Sequence, residues 1–137
     1  MATHADKAAL INRVALGCMF IAHALLKSVV YTLSDSAQYF ASLGIPGWLA
    51  YVVTFGEFFG GAAMVLGIRT RWAAMALLPV LLGTLWVHSG NGWLFTSPNG
   101  GWEYPAFLAV ASVVQALVGA GAYAVNWPAS RAQLAHA

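Results

Sequence analysis

From Trp48 to Ile68 the sequence is almost entirely apolar, and the one charged group inside this run is Glu57. A helix needs about 20 predominantly apolar residues to cross a bilayer, and this run meets that length. A carboxyl group at membrane depth is costly unless it faces a protein interior or a water-filled cavity, where it pairs or does chemistry. The run therefore predicts a membrane-spanning helix held inside a bundle, with Glu57 turned toward groups on other helices.

The rest of the chain supports that reading. Of 137 residues, 61% are hydrophobic and 7% charged, against roughly 25% charged in an average soluble domain. Mean hydropathy is +0.73. Four apolar segments, at about 9–33, 48–66, 72–87 and 105–125, predict an all-α four-helix transmembrane bundle and leave no length for a second globular unit, so residues 1–137 read as a single domain. The net charge of +2 is too small and too dispersed to indicate nucleic acid. Cys18 is the only cysteine, which excludes an internal disulfide or dithiol redox pair. The N-terminal apolar stretch is too long for a signal peptide and carries His23 and Lys27, so it reads as a retained first span.

Pro46 and Gly47 open the second segment and Gly67 ends it. The short Gly67–Arg71 connection makes the second and third segments an antiparallel hairpin. Gln38–Gly47 and Ser89–Gly101 read as connectors, the latter with Trp93 and Phe95 as interfacial anchors, and Pro79 marks a bend in the third segment. Lys7, Arg13, Arg69, Arg71 and Arg131 fall at the N-terminus, in the second-to-third connection and in the tail, which predicts a multi-pass protein of the cell inner (plasma) membrane with both termini cytoplasmic. Gly56-x-x-x-Gly60 followed by Gly61 predicts close helix packing along the second span.

Counting about 1.5 Å per residue from the cytoplasmic arginines places His23 about 15 Å deep, Glu57 about 18 Å, Lys27 about 21 Å and His88 about 25 Å. Two tiers follow: His23 with Glu57 near the midplane, and Lys27, His88 and Glu103 above them toward the exterior. His23 and Lys27 are four apart on one helix face. All five are expected to line one outward-opening cleft. Each also has a structural alternative: an ion pair or hydrogen bond for Glu57 and the histidines, snorkelling for Lys27, a helix N-terminal charge for Glu103. His4 and His136 lie in polar tails and carry no expected role.

Six elements occur here in an order that resembles the DoxX family of small membrane proteins: His23-x-x-x-Lys27, Phe40–Pro46, Glu57-x-x-Gly60-Gly61, Leu66–Arg71, His88 and Gly100–Glu103. The resemblance implies a four-helix membrane protein linked to respiratory or oxidative-stress redox chemistry, similar to the small quinone-reducing subunit of a thiosulfate:quinone oxidoreductase.

Three functions are then open. In the first, a quinone or similar apolar redox compound occupies the cleft of an oxidoreductase or its membrane subunit. Glu57 and His23 handle protons as the catalytic pair, and Lys27, His88 and Glu103 bind the head group. Phe55, Phe58, Phe59 and Trp86 are candidate walls of the slot. In the second, His23, Glu57, His88 and Glu103 hold zinc, iron or copper. Bis-histidine haem is disfavoured by the depth difference of about 10 Å between His23 and His88. In the third, the chain is a non-enzymatic receptor or scaffold. One chain without a cofactor motif implies a redox protein partner or a homo-oligomer, in contact with membrane lipid.

Overall fold

The computed structural model describes residues 1–125; Arg131 and His136 lie outside the described residues. The architecture is all-helical. Helix α1 spans His4–Leu25 and continues as a π-helical turn, Leu26–Val30. Helices α2 (Leu33–Ser42), α3 (Trp48–Leu66), α4 (Thr70–His88) and α5 (Glu103–Val118) follow. Segments His4–Val30, Trp48–Leu66 and Thr70–His88 are long and apolar enough to span a membrane, and α5 is a shorter apolar helix of 16 residues.

Local chemistry sets the ends of these helices. Thr3 caps α1 reciprocally with Asp6, its hydroxyl accepting from the Asp6 amide and the Asp6 carboxylate accepting from the Thr3 amide. Helix α3 stops where Gly67 adopts φ 76°, and the Ile68 amide donates back to the Ala63 carbonyl. Helix α4 continues through Pro79 as one helix.

Buried residues on α3 fall at Ala50, Thr54, Glu57, Gly61 and Met64, in alternating steps of four and three. On α1 the matching stripe is Ala9, Arg13, Leu16, Gly17, Phe20 and Ala24. The two stripes meet at Gly17 and Gly61. A Cβ on Gly17 would lie 2.6 Å from the Gly61 carbonyl oxygen, and one on Gly61 would lie 2.7 Å from that of Gly17. Of the expected packing glycines, Gly61 makes this contact and Gly60 packs against the Leu77 side chain of α4, whereas Gly56 is corrected, since a Cβ there meets nothing. Glu57 is buried because it sits one turn from Gly61, on the same face.

Leu16, Phe20, Met64, Ala74, Leu77, Leu81 and Ala109 form the core. Large apolar side chains dominate the outside, including Ile11, Phe55, Phe59, Trp72, Phe107 and Leu117. That arrangement is stable where the surroundings are lipid.

Three further expectations change. Part of the Gln38–Gly47 connector belongs to α2, because the Thr32 hydroxyl accepts from the Asp35 amide and starts a helix at Leu33. The fourth helix ends at Val118 rather than near 125, because Gly119 and Gly121 take φ 84° and 69° and turn the chain across the bundle end. Arg13, expected among the rim charges, is 1% exposed. Its guanidinium donates to the carbonyls of Met64, Val65, Ala120 and Ala122. Those are carbonyls at the end of α3 and in the turn after α5, so a single planar fork ties three segments together.

Candidate functional site

At the end of the bundle opposite Arg13 the helices part around a cavity of about 880 Å³. Its walls are the C-terminal half of α1, α2, Val53 and Glu57 of α3, the stretch from Pro79 to His88 of α4, Gly100 and Gly101 of the last connector, and the start of α5. The lining is mainly apolar, from Phe20, Leu26, Phe40, Val53, Leu81 and Leu108. This is the general design of small-molecule sites, with a few polar groups set into hydrophobic walls.

The polar groups begin with an ion pair. Lys27 Nζ lies 2.5 Å from Glu57 Oε2, with the side chains 21% and 6% exposed respectively. The partner of Glu57 is thus Lys27, where the depth count paired it with His23. The reason lies in the backbone. Lys27 sits in the π-helical turn, which is wider than an α-turn and locally changes the direction of the side chains.

A second irregularity follows directly. Thr32 has φ 64° and ψ 153°, a region populated almost only by glycine, and it is β-branched. Such strain costs about 1–3 kcal/mol and gathers at functional sites. Here it redirects the chain so that α2 brings Asp35, Ser36, Tyr39 and Phe40 to the cavity wall.

Both histidines are fixed by their own helices. His23 Nδ1 donates to the Met19 carbonyl at 2.8 Å, and His88 Nδ1 donates to the Thr84 carbonyl at 2.8 Å. A carbonyl only accepts, so in the neutral ring the proton is on Nδ1 and Nε2 carries the lone pair. The His23 ring stacks on Tyr104, with centroids 6.1 Å apart and planes at 27°. The His88 ring packs on Gly100, where a Cβ would come within 3.2 Å of Cδ2.

The structure therefore brings His23, Lys27, Glu57 and His88 to one cavity and leaves Glu103 out of it. Glu103 Oε1 accepts from the Phe95 amide at 2.8 Å and borders a separate depression with Trp93, Phe95, Tyr104 and Phe107. Its contact is with the connector, which it holds against the start of α5. Among the described residues, no three His, Cys, Asp or Glu side chains are gathered as a metal site, so His23, Glu57, His88 and Glu103 do not form one set. Phe55, Phe58, Phe59 and Trp86, candidate walls in the sequence, face outward instead.

Tyr31, Asp35, Tyr39, Thr84 and Tyr104 line the cavity and were not singled out from the sequence. For Thr84 a signal was present, since it lies four residues before His88 on the same helix face. For the α2 residues the signal was Thr32-x-x-Asp35, the same capping spacing as Thr3-x-x-Asp6 at the start of α1.

These features define a membrane-embedded helical bundle with a partly buried ion pair and two fixed imidazoles beside an apolar cavity. The DoxX family model matches residues 8–90, more than half of the chain, and the protein belongs to the DoxX family. The matched stretch contains His23, Lys27, Glu57 and His88. A curated relative from Bacillus subtilis (strain 168), named "Putative oxidoreductase CatD", is 32% identical over 76 residues, covering 56% of this chain and 55% of the relative. The chain thus spans about half the length of that relative. No solved structure matches the chain.

Proposed function

We propose that this DoxX protein binds a quinone or similar apolar redox compound in the cavity walled by His23, Lys27, Glu57 and His88, as a subunit of or partner to an oxidoreductase. The observation that carries this reading is the Lys27–Glu57 pair set into the wall of a mainly apolar cavity of about 880 Å³. A pair kept there at the desolvation cost of two charges is more than bundle packing requires, since apolar residues of similar volume are often as stabilising. The redox assignment is supported by the name of the Bacillus subtilis relative.

In this reading the ring lies against the apolar walls, and Lys27 donates to an oxygen at one edge. Glu57 and His23 exchange protons with the ring oxygens, and His88 orients the head group. Electrons come from a redox partner protein or through an oligomer. The ion pair lies in the outer half of a bundle in the inner (plasma) membrane whose two termini are cytoplasmic, so the protons exchange with the exterior.

The test is purification in mild detergent followed by mass spectrometry of extracted small molecules, with wild type beside Glu57→Gln. Wild type retains a quinone-type compound and the variant inserts normally but loses it. Equal retention by the two removes Glu57 from the site. Binding of a metal ion in its place at one equivalent supports the zinc, iron or copper reading.

A further inference from the structure

We infer that the cavity recognises the reduced, hydroxyl-bearing form of its ring compound, a hydroquinone, in preference to the oxidised diketone. The inference rests on the reading above that a redox-active ring occupies the cavity, and it adds the oxidation state that is bound.

It follows from which hydrogen-bonding capacity is left over at the wall. The Nδ1 protons of His23 and His88 are committed to the Met19 and Thr84 carbonyls, so each neutral ring has only the Nε2 lone pair remaining, and among the described residues neither Nε2 has a partner. The cavity hydroxyls are committed in the same way. Thr84 Oγ1 donates to the Val80 carbonyl at 2.9 Å, Ser36 Oγ to the Thr32 carbonyl at 2.9 Å, and Tyr104 Oη to Met19 Sδ at 3.5 Å. Glu57 uses Oε2 for Lys27, which leaves Oε1 as a further acceptor.

Donors remain at the wall as well. Lys27 retains two of its three N–H groups, and Tyr31 and Tyr39, both largely exposed, each carry a hydroxyl. A quinone oxygen only accepts. It satisfies Lys27 and leaves both imidazole lone pairs and the Glu57 oxygen facing an apolar ring. A phenolic hydroxyl donates one hydrogen bond and accepts others, so a hydroquinone answers Lys27 and the acceptors at once. Polar groups left unpaired in a dry site are costly, and one such group lowers affinity by about tenfold.

The experiment titrates the full chain in nanodiscs, without oxygen, with an alkyl-substituted hydroquinone, the matching benzoquinone and the matching dimethyl ether. The hydroquinone is expected to bind at least about tenfold more tightly than either of the others. Chain labelled with ¹⁵N at histidine gives a second readout that needs no variant. The Nε2 resonances of two of the four histidines shift on adding hydroquinone and stay in place with the ether. His88→Phe, compared by the same titration, shows a smaller preference for hydroquinone over ether, because His23 and Glu57 still accept. Equal or tighter binding of benzoquinone, with the Nε2 resonances unmoved, overturns the inference and leaves the proposed function standing. Binding of none of the three overturns both.

Discussion

The two ends of this bundle each draw a basic side chain inward, Arg13 fully and Lys27 in part, and they treat it in opposite ways. At one end Arg13 donates to four carbonyls, and beside it Asn12 donates to Gln115 Oε1 while Gln115 Nε2 donates to the Gly119 carbonyl. Gln115 is fully buried. At the other end Lys27 makes one contact, to Glu57, and the histidines beside it keep a nitrogen free toward a cavity. The first cluster is saturated by backbone and holds helices together. The second is unsaturated and open, which is the condition for meeting a ligand. The side-chain types are similar; what differs is whether carbonyls lie within reach.

The sharpest test of that contrast is at Arg13. Arg13→Ala takes a donor from four carbonyls and is expected to cost about 3–5 kcal/mol of stability, read as the midpoint of SDS-induced unfolding. Arg13→Lys keeps the charge but not the planar fork and should fall between the two. Little change in either variant would break the comparison, since Arg13 would then be no more structural than Lys27.

Next in size is the α1–α3 crossing that both ends share. Gly61→Ala forces a methyl to 2.7 Å from the Gly17 carbonyl oxygen, and overpacking of this kind costs about 1–3 kcal/mol. Gly56→Ala, on the same helix with open space at its Cβ, should leave the unfolding midpoint within about 0.5 kcal/mol of wild type.

At the open end the expected pattern is different in kind. Glu57→Gln leaves an ammonium without its counter-charge and should lose ligand binding while the protein still inserts. The double variant Lys27→Met with Glu57→Gln removes both charges and should recover stability, ending about 1–4 kcal/mol above the single variant in the same unfolding assay. A double variant no more stable than the single one would show that the pair holds the bundle together, as Arg13 does. The smallest effect is expected at Thr32. Thr32→Gly relieves about 1–3 kcal/mol of backbone strain and gives up about 1 kcal/mol of capping, for a net gain of up to about 2 kcal/mol. A destabilised Thr32→Gly would mean that the cap outweighs the strain.

Parts of this arrangement were legible in the residues. Glu57 alone in an apolar run had to face inward, because lipid offers a carboxylate nothing. His23 and Lys27 share a helix face by spacing, and Gly67 marks the end of α3 because it readily adopts positive φ. Arg13 was misleading for a reason that is just as physical. A basic residue near a predicted span end fits the pattern of rim charges, and only the turn made by Gly119 and Gly121 supplies the carbonyls that let it be buried. Likewise the capping spacing Thr32-x-x-Asp35 marks the start of α2, but the turn into it depends on one strained residue, Thr32, whose conformation no propensity favours.

The sequence by itself determined the class of the molecule: apolar helices for a membrane, one buried acid and a short list of polar residues to meet it. Those follow from transfer energies and helical periodicity, which are properties of each segment alone. Tertiary structure decided the pairing, with Glu57 on Lys27 rather than His23, Glu103 on a loop amide rather than in the cavity, and Arg13 inside rather than at the rim. Pairing depends on short backbone irregularities, the π-turn at Leu26–Val30, the strained Thr32 and the glycine turn after α5. Each is set by the sum of contacts around it, and so takes its form only when the helices are assembled.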